Sequence, residues 1–186
     1  MEADWEFEIG GDAPVIEAHW PGFVDLCEHP HRVRELEETR QLPGLAEVLV
    51  QLNGAGSLVW TSKVDVWQPS VIDPDELDAA SDDAQHAMAC YIDFLMRTER
   101  GWNSPVQAEQ FLTALCARLR EKMLRCCRVD LVIRRALIGS GEIGEPNYGI
   151  GATAYFTACG RSESAAKAHL ADCLAAFVAE LAKTPE

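Results

Sequence analysis

A chain of 186 residues, 48% of them hydrophobic, has the size and composition of one folded unit, since a single core usually spans roughly 100–200 residues. Its formal charge of −14 repels a phosphate backbone and so disfavours nucleic acid as a partner; no apolar run nears the roughly 20 residues of a membrane span. The acids are unevenly placed: residues 1–100 hold 21 acids and 6 bases, a net −15, whereas residues 101–186 hold 9 acids and 10 bases, a net +1.

The seven cysteines are odd in number, scattered, and form no CxxC pair. Together with the acidic start "MEADWEFEIG", which has no basic-then-apolar leader, they point to a reduced, cytoplasmic chain.

Asp4 to Ile9 alternates, with Trp5, Phe7 and Ile9 on one side and Glu6 and Glu8 on the other. "GGDA" has the residues of a tight turn, and "PVIEAHW" alternates again with Glu17 and His19 on its polar side. This pattern predicts a β-hairpin. Pro30 opens a charged helical stretch, and "LPGLAEVLVQLNG" carries the stripe Leu45, Val48, Leu49, Leu52 before an Asn53-Gly54 stop, so two helices follow.

Ser57 to Gln68 is the third predicted strand, with Trp60, Ser62, Val64 and Val66 on one face and Thr61, Lys63, Asp65 and Trp67 on the other. From Asp73 to Arg97, a capping aspartate, Pro74 and the spacing of Met88, Tyr91, Ile92 and Leu95 predict a helical region. Ser104, Pro105 and Gln107 form a capping-box start for a helix to about Met123. Arg125 to Ile138 and Tyr148 to Cys159 are the fourth and fifth strands, joined by the glycine-rich tip "GSGEIGEPN", and an alanine-rich helix ends the chain. The expected order is ββααβααββα. It describes a single α+β domain over residues 1–186, with an antiparallel sheet of about five strands and helices packed on one face.

Such a sheet leaves one face to solvent. Its expected residues are Glu6, Glu8, Glu17, His19, Lys63, Asp65, Trp67, Arg128, Asp130, Arg134, Thr153, Tyr155 and Thr157. A plain wet face accounts for the charges, at about 0.2–1 kcal/mol per cross-strand pair. Trp67 and Tyr155 are residue types enriched where proteins bind, and Lys63, Arg128 and Arg134 have the chemistry to clamp an anion.

The expectation is therefore a non-catalytic binding or assembly module that binds through Lys63, Trp67, Arg128, Arg134 and Tyr155. Its partner is a second copy, another protein or a small anionic ligand. The alternative is a metal-assisted or acid–base hydrolase using Glu17, His19, Asp65 and Asp130, which requires those groups to meet at one point.

Cys27, His29 and His31 have metal-ligand chemistry but lack paired spacing and a fourth ligand. They are read as a turn with solvated histidines, Cys27 packed, and no metal is expected. The glycine-rich segment lies between strands rather than opening a helix, and there is no P-loop lysine, GxSxG or HExxH, so no cofactor is expected either. Cys126 and Cys127, adjacent in a strand, should point to opposite faces.

Overall fold

The computed structural model describes residues 1–8, 15–16, 22–97, 102, 104–138 and 147–183. It is a mixed α+β fold. Five strands form one path in the order β1 (Glu2–Glu8), β5 (Cys127–Ile138), β6 (Asn147–Gly160), β4 (His86–Met96), β3 (Val59–Trp67). A two-residue strand, β2 (Val15–Ile16), pairs further along β5. The helices are α1 (Glu38–Gln41), α2 (Leu45–Asn53), α3 (Pro105–Arg120) and α4 (Glu163–Leu181).

The sheet is mixed rather than purely antiparallel. β1 and β2 do not form the expected hairpin with each other. Each runs parallel to β5, Glu2–Glu8 opposite Arg128–Arg134 and Val15–Ile16 opposite Ala136–Leu137. Alternation shows that a segment is a strand but not which strand it joins; the true partner lies more than a hundred residues downstream.

The larger departure is β4. Residues 86–96 form a central strand between β6 and β3, not a helix. Ala87 to Leu95 is buried on both faces except at Tyr91. A strand covered on both sides reads as a continuous apolar run, which does not distinguish it from a buried helix. The Asp73-Pro74 start yields only a single 3₁₀ turn at Asp75–Leu77, followed by another at Ser81–Asp83. The stretch beginning at Pro30 likewise splits into a 3₁₀ turn, Pro30–Glu35, and the four-residue α1.

Elsewhere the local signals hold. Ser104 Oγ accepts the Gln107 N–H at 3.3 Å, and Ser162 Oγ accepts the Ala165 N–H at 3.2 Å. These contacts satisfy donors that a helix start otherwise leaves open.

The main core lies between the sheet and α2, α3 and α4. Val129, Leu131 and Ile133 of β5, Ala152, Ala154 and Phe156 of β6, and Cys90, Ile92 and Phe94 of β4 meet Leu112 and Leu115 of α3 and Leu170, Leu174 and Phe177 of α4. Phe177 stands edge-on to Phe156 with ring centroids 5.1 Å apart, a favourable arrangement of two ring quadrupoles.

β3 contains an irregularity. The pairing register with β4 shifts between Thr61 and Lys63, as an extra residue in one strand of a pair requires. The bulge turns Trp60 to the outer face, with Lys63, Asp65 and Trp67, and brings Thr61 to the core side. This corrects the strict alternation read for residues 60–62. Buried Asn53 fixes the bulge. Its Oδ1 accepts the Thr61 N–H at 2.9 Å, and its Nδ2 donates to Thr61 Oγ1 at 2.8 Å.

Candidate functional site on the outer face of the sheet

The face opposite the helices gathers the five binding residues expected from sequence, in registered rows. One row runs Asp65, Tyr91, Tyr155, Asp130, Asp4 across β3, β4, β6, β5 and β1. The next towards one end runs Trp67, Ala89, Thr157, Arg128, Glu2; towards the other it runs Lys63, Asp93, Thr153, Val132, Glu6. Arg134 lies one row further, opposite Glu8.

Aromatic rings cross the strands, diagonally from Trp67 to Tyr91 and then directly from Tyr91 to Tyr155. Trp67 and Tyr91 have centroids 6.2 Å apart, and Tyr91 and Tyr155 6.0 Å. The Arg134 guanidinium stands 5.8 Å from the Tyr155 ring centre, and its Nη2 donates to Tyr155 Oη at 3.1 Å. The row therefore continues from Trp67 to a cation through two tyrosines.

The arginines are not an open anion clamp. Arg128 Nε donates to both Asp130 oxygens at 2.8 Å, and its Nη2 is 2.7 Å from Oδ1. Arg134 Nη2 lies 2.5 Å from Glu8. Each guanidinium already holds a carboxylate of its own chain, the strong charge-assisted form of hydrogen bond.

Of the four hydrolase candidates, the two described ones are not brought to one point. Asp65 and Asp130 are separated by three strand spacings, roughly 14 Å at the usual sheet geometry. Glu17 and His19 lie outside the described residues, as does the glycine-rich tip over 139–146.

Two polar outer-face residues escape the sequence reading because the apolar run of β4 reads as a helix: Tyr91 and Asp93. Asp93 is 7% exposed, and its Oδ1 accepts from Thr153 Oγ1 at 2.6 Å. Burial pushes its carboxyl above the usual carboxylate range, against the pull of the Thr153 hydroxyl, Lys63 and Arg134. The folded state therefore holds this proton more tightly than the unfolded chain. Stability falls as pH rises from the ordinary carboxyl pKa, about 4, through the raised folded value.

Asp93→Asn keeps an acceptor for Thr153 and removes the buried charge. Its thermal midpoint is expected above the parent's at pH 7, with the gain shrinking towards pH ~4. A midpoint below the parent's at pH 7 would show that Lys63 and Arg134 outweigh burial.

Residues 68–85, the connection from β3 to β4, fold back over this face until the Asp75–Leu77 turn reaches β5 and β6. Leu77 packs there with Ala87, Cys126 and Cys159, and Ile72, Ala79 and Ala84 rest against them. Between this strap and the sheet lies a cavity of about 480 Å³, whose walls include Trp67, Ile72, Leu77, Ala89, Arg128 and Thr157. A second hollow of about 370 Å³, at the β3 edge, borders Lys63 and Tyr91.

Cys126 and Cys127 do point to opposite faces, Cys126 under the strap and Cys127 in the main core. Cys126 takes a positive φ of 60°, a left-handed conformation uncommon for a residue with a side chain. His29 and His31 are exposed, as expected, but so is Cys27, whose Sγ donates to Asn53 Oδ1 at 3.6 Å. Cys27 is therefore not packed away; it lies within the turn that Asp25 caps by accepting from the Cys27 and Glu28 N–H groups. Among the described residues no three His, Cys, Asp or Glu side chains are grouped as a metal site, and no helix is long and apolar enough to cross a membrane.

No protein-family model, no curated protein and no solved structure matches the chain.

Proposed function

We propose that the protein is a non-catalytic binding module whose working surface is the outer face of its sheet. The observation that carries this reading is the Trp67–Tyr91–Tyr155 row, set beside a cavity on a sheet face that the helices leave uncovered. Aromatic side chains are costly to leave in water and dominate the energetics of interfaces when covered. The cavity's volume falls in the range of small-ligand and side-chain pockets. A small anionic ligand is disfavoured because Arg128 and Arg134 are held by Asp130 and Glu8, so a protein partner is the better reading. Hydrolysis is less well supported, since Asp65 and Asp130 stand far apart across the sheet.

Five tryptophans give five indole N–H signals, which makes the test direct. In a fragment-mixture screen followed by protein NMR, the Trp67 indole is expected to shift with the first hits. Hits that move Trp102, packed against Phe94 and Phe111 on the core side, and leave Trp67 unmoved would overturn the reading.

A further inference from the structure

We infer that the strap-side cavity of the outer face docks a lysine- or arginine-bearing segment of a partner polypeptide. The inference deepens the binding reading above and rests on it.

The cavity's charge is one-sided. Its walls carry the carboxylates of Asp4, Glu6, Asp73, Glu76 and Asp130 against one basic side chain, Arg128. Arg128 is spent on Asp130 through three short contacts, and Asp4 has a looser partner in Arg120 at 3.5 Å. Glu6 and Glu76 are exposed and make no ion pair among the described residues. An incoming cation thus meets two carboxylates without a direct ion pair, Glu76 sharing only the longer-range field of Arg128.

The same cavity presents Trp67, 38% exposed, whose ring is the best of the aromatic faces for attracting an ammonium or guanidinium. Val71, 83% exposed, and the partly buried Ile72 add apolar surface on the strap. That surface suits the methylene stem of a lysine or arginine, which buries its carbons while its charge finds a counter-ion.

The whole-chain field selects the same class. At −14, a second copy is repelled, while a basic partner is steered towards the acidic half of the chain. A polypeptide rather than a free amine fits because the carboxylates are divided between the strap, at Asp73 and Glu76, and the strands, at Asp4, Glu6 and Asp130, more than one cationic group can meet.

The test uses the full chain and three short peptides, in which glycine alternates with lysine, serine or glutamate. Binding is followed by tryptophan fluorescence and by the Trp67 indole signal. The lysine peptide is expected to bind and the other two not. Its affinity should fall about tenfold or more with Trp67→Ala, as for a central aromatic anchor, and by a similar factor with Glu6→Gln/Glu76→Gln. Both sets of positions are exposed, so these variants should fold like the parent, which circular dichroism checks.

Equal binding of the serine or glutamate peptide at Trp67 would overturn the cationic class and leave the binding surface standing. Lysine-peptide binding indifferent to both sets of variants would be diffuse attraction to an acidic chain, and would overturn the docking site. Butylamine binding as tightly as the lysine peptide would replace the polypeptide with a small organic cation. No response from any probe, with Trp67 unmoved in the fragment screen as well, would overturn both readings.

Discussion

Replacing Phe177 with alanine is expected to destabilise the protein by about 4 kcal/mol, since removing a buried phenylalanine costs 3–5 kcal/mol through lost burial and the cavity left behind. Phe177 is completely buried at the meeting of α4 with the sheet, in ring contact with both Phe156 and Phe94. No neighbouring segment is free to collapse into the gap, because the surrounding Leu170, Leu174 and Ile92 are themselves fully buried. The thermal midpoint should fall by roughly 10 °C, at 2–4 °C per kcal/mol for a chain of this size. Tyr155→Ala, one residue before Phe156 and on the opposite face, should cost far less. A Tyr155→Ala loss as large as that of Phe177→Ala would mean that the outer face is core, not a surface kept for a partner.

Gly160→Ala is the second large effect, expected at about 3 kcal/mol, the upper end of ordinary overpacking costs. Gly160 ends β6 and leads into α4. A methyl group there would lie 2.6 Å from the Ala166 nitrogen and 2.7 Å from the Ala165 Cβ. Both distances are below van der Waals contact, and the nearest obstacle is helix backbone, which has no rotamer to change. The penalty is one of space rather than torsion, because Gly160 is not among the described positive-φ glycines, Gly22 and Gly44. Ala165→Gly added to Gly160→Ala should recover only part of the loss, since the contact with the Ala166 nitrogen remains. Urea melts measure both variants, and a Gly160→Ala protein as stable as the parent would show that α4 does not press on the end of β6.

The outer-face residues were legible wherever a strand alternated cleanly. Arg128, Asp130 and Arg134 fall on one side of β5 by simple period-two counting, and Tyr155 and Thr157 do so on β6. Lys63, Asp65 and Trp67 follow from the same counting, but Trp60 does not, because a bulge changes the count without leaving a glycine or proline to mark it.

Tyr91 and Asp93 were invisible for a different reason. Their strand is apolar on both sides, and an aspartate inside it looks like a helix surface residue until Thr153 is brought beside it from a strand 60 residues away. The β1–β5 pairing was hidden because turn chemistry reports only on neighbours, and "GGDA" reads as a hairpin turn whatever the preceding strand pairs with. The neutralisation of the arginines was partly accessible: Arg128 and Asp130 lie two apart on one face, which permits the contact seen here. The Glu8–Arg134 pair depends on a register that no local pattern encodes.

The central claim is that the outer sheet face, at the strap side, is where this protein binds. Backbone amide NMR shifts recorded while the lysine–glycine peptide is added test it most directly. The expected map is confined to Glu6, Trp67, Asp73, Glu76, Arg128 and Thr157 with their immediate neighbours. A map centred on α3 and α4, or spread evenly over the acidic first hundred residues, would contradict it.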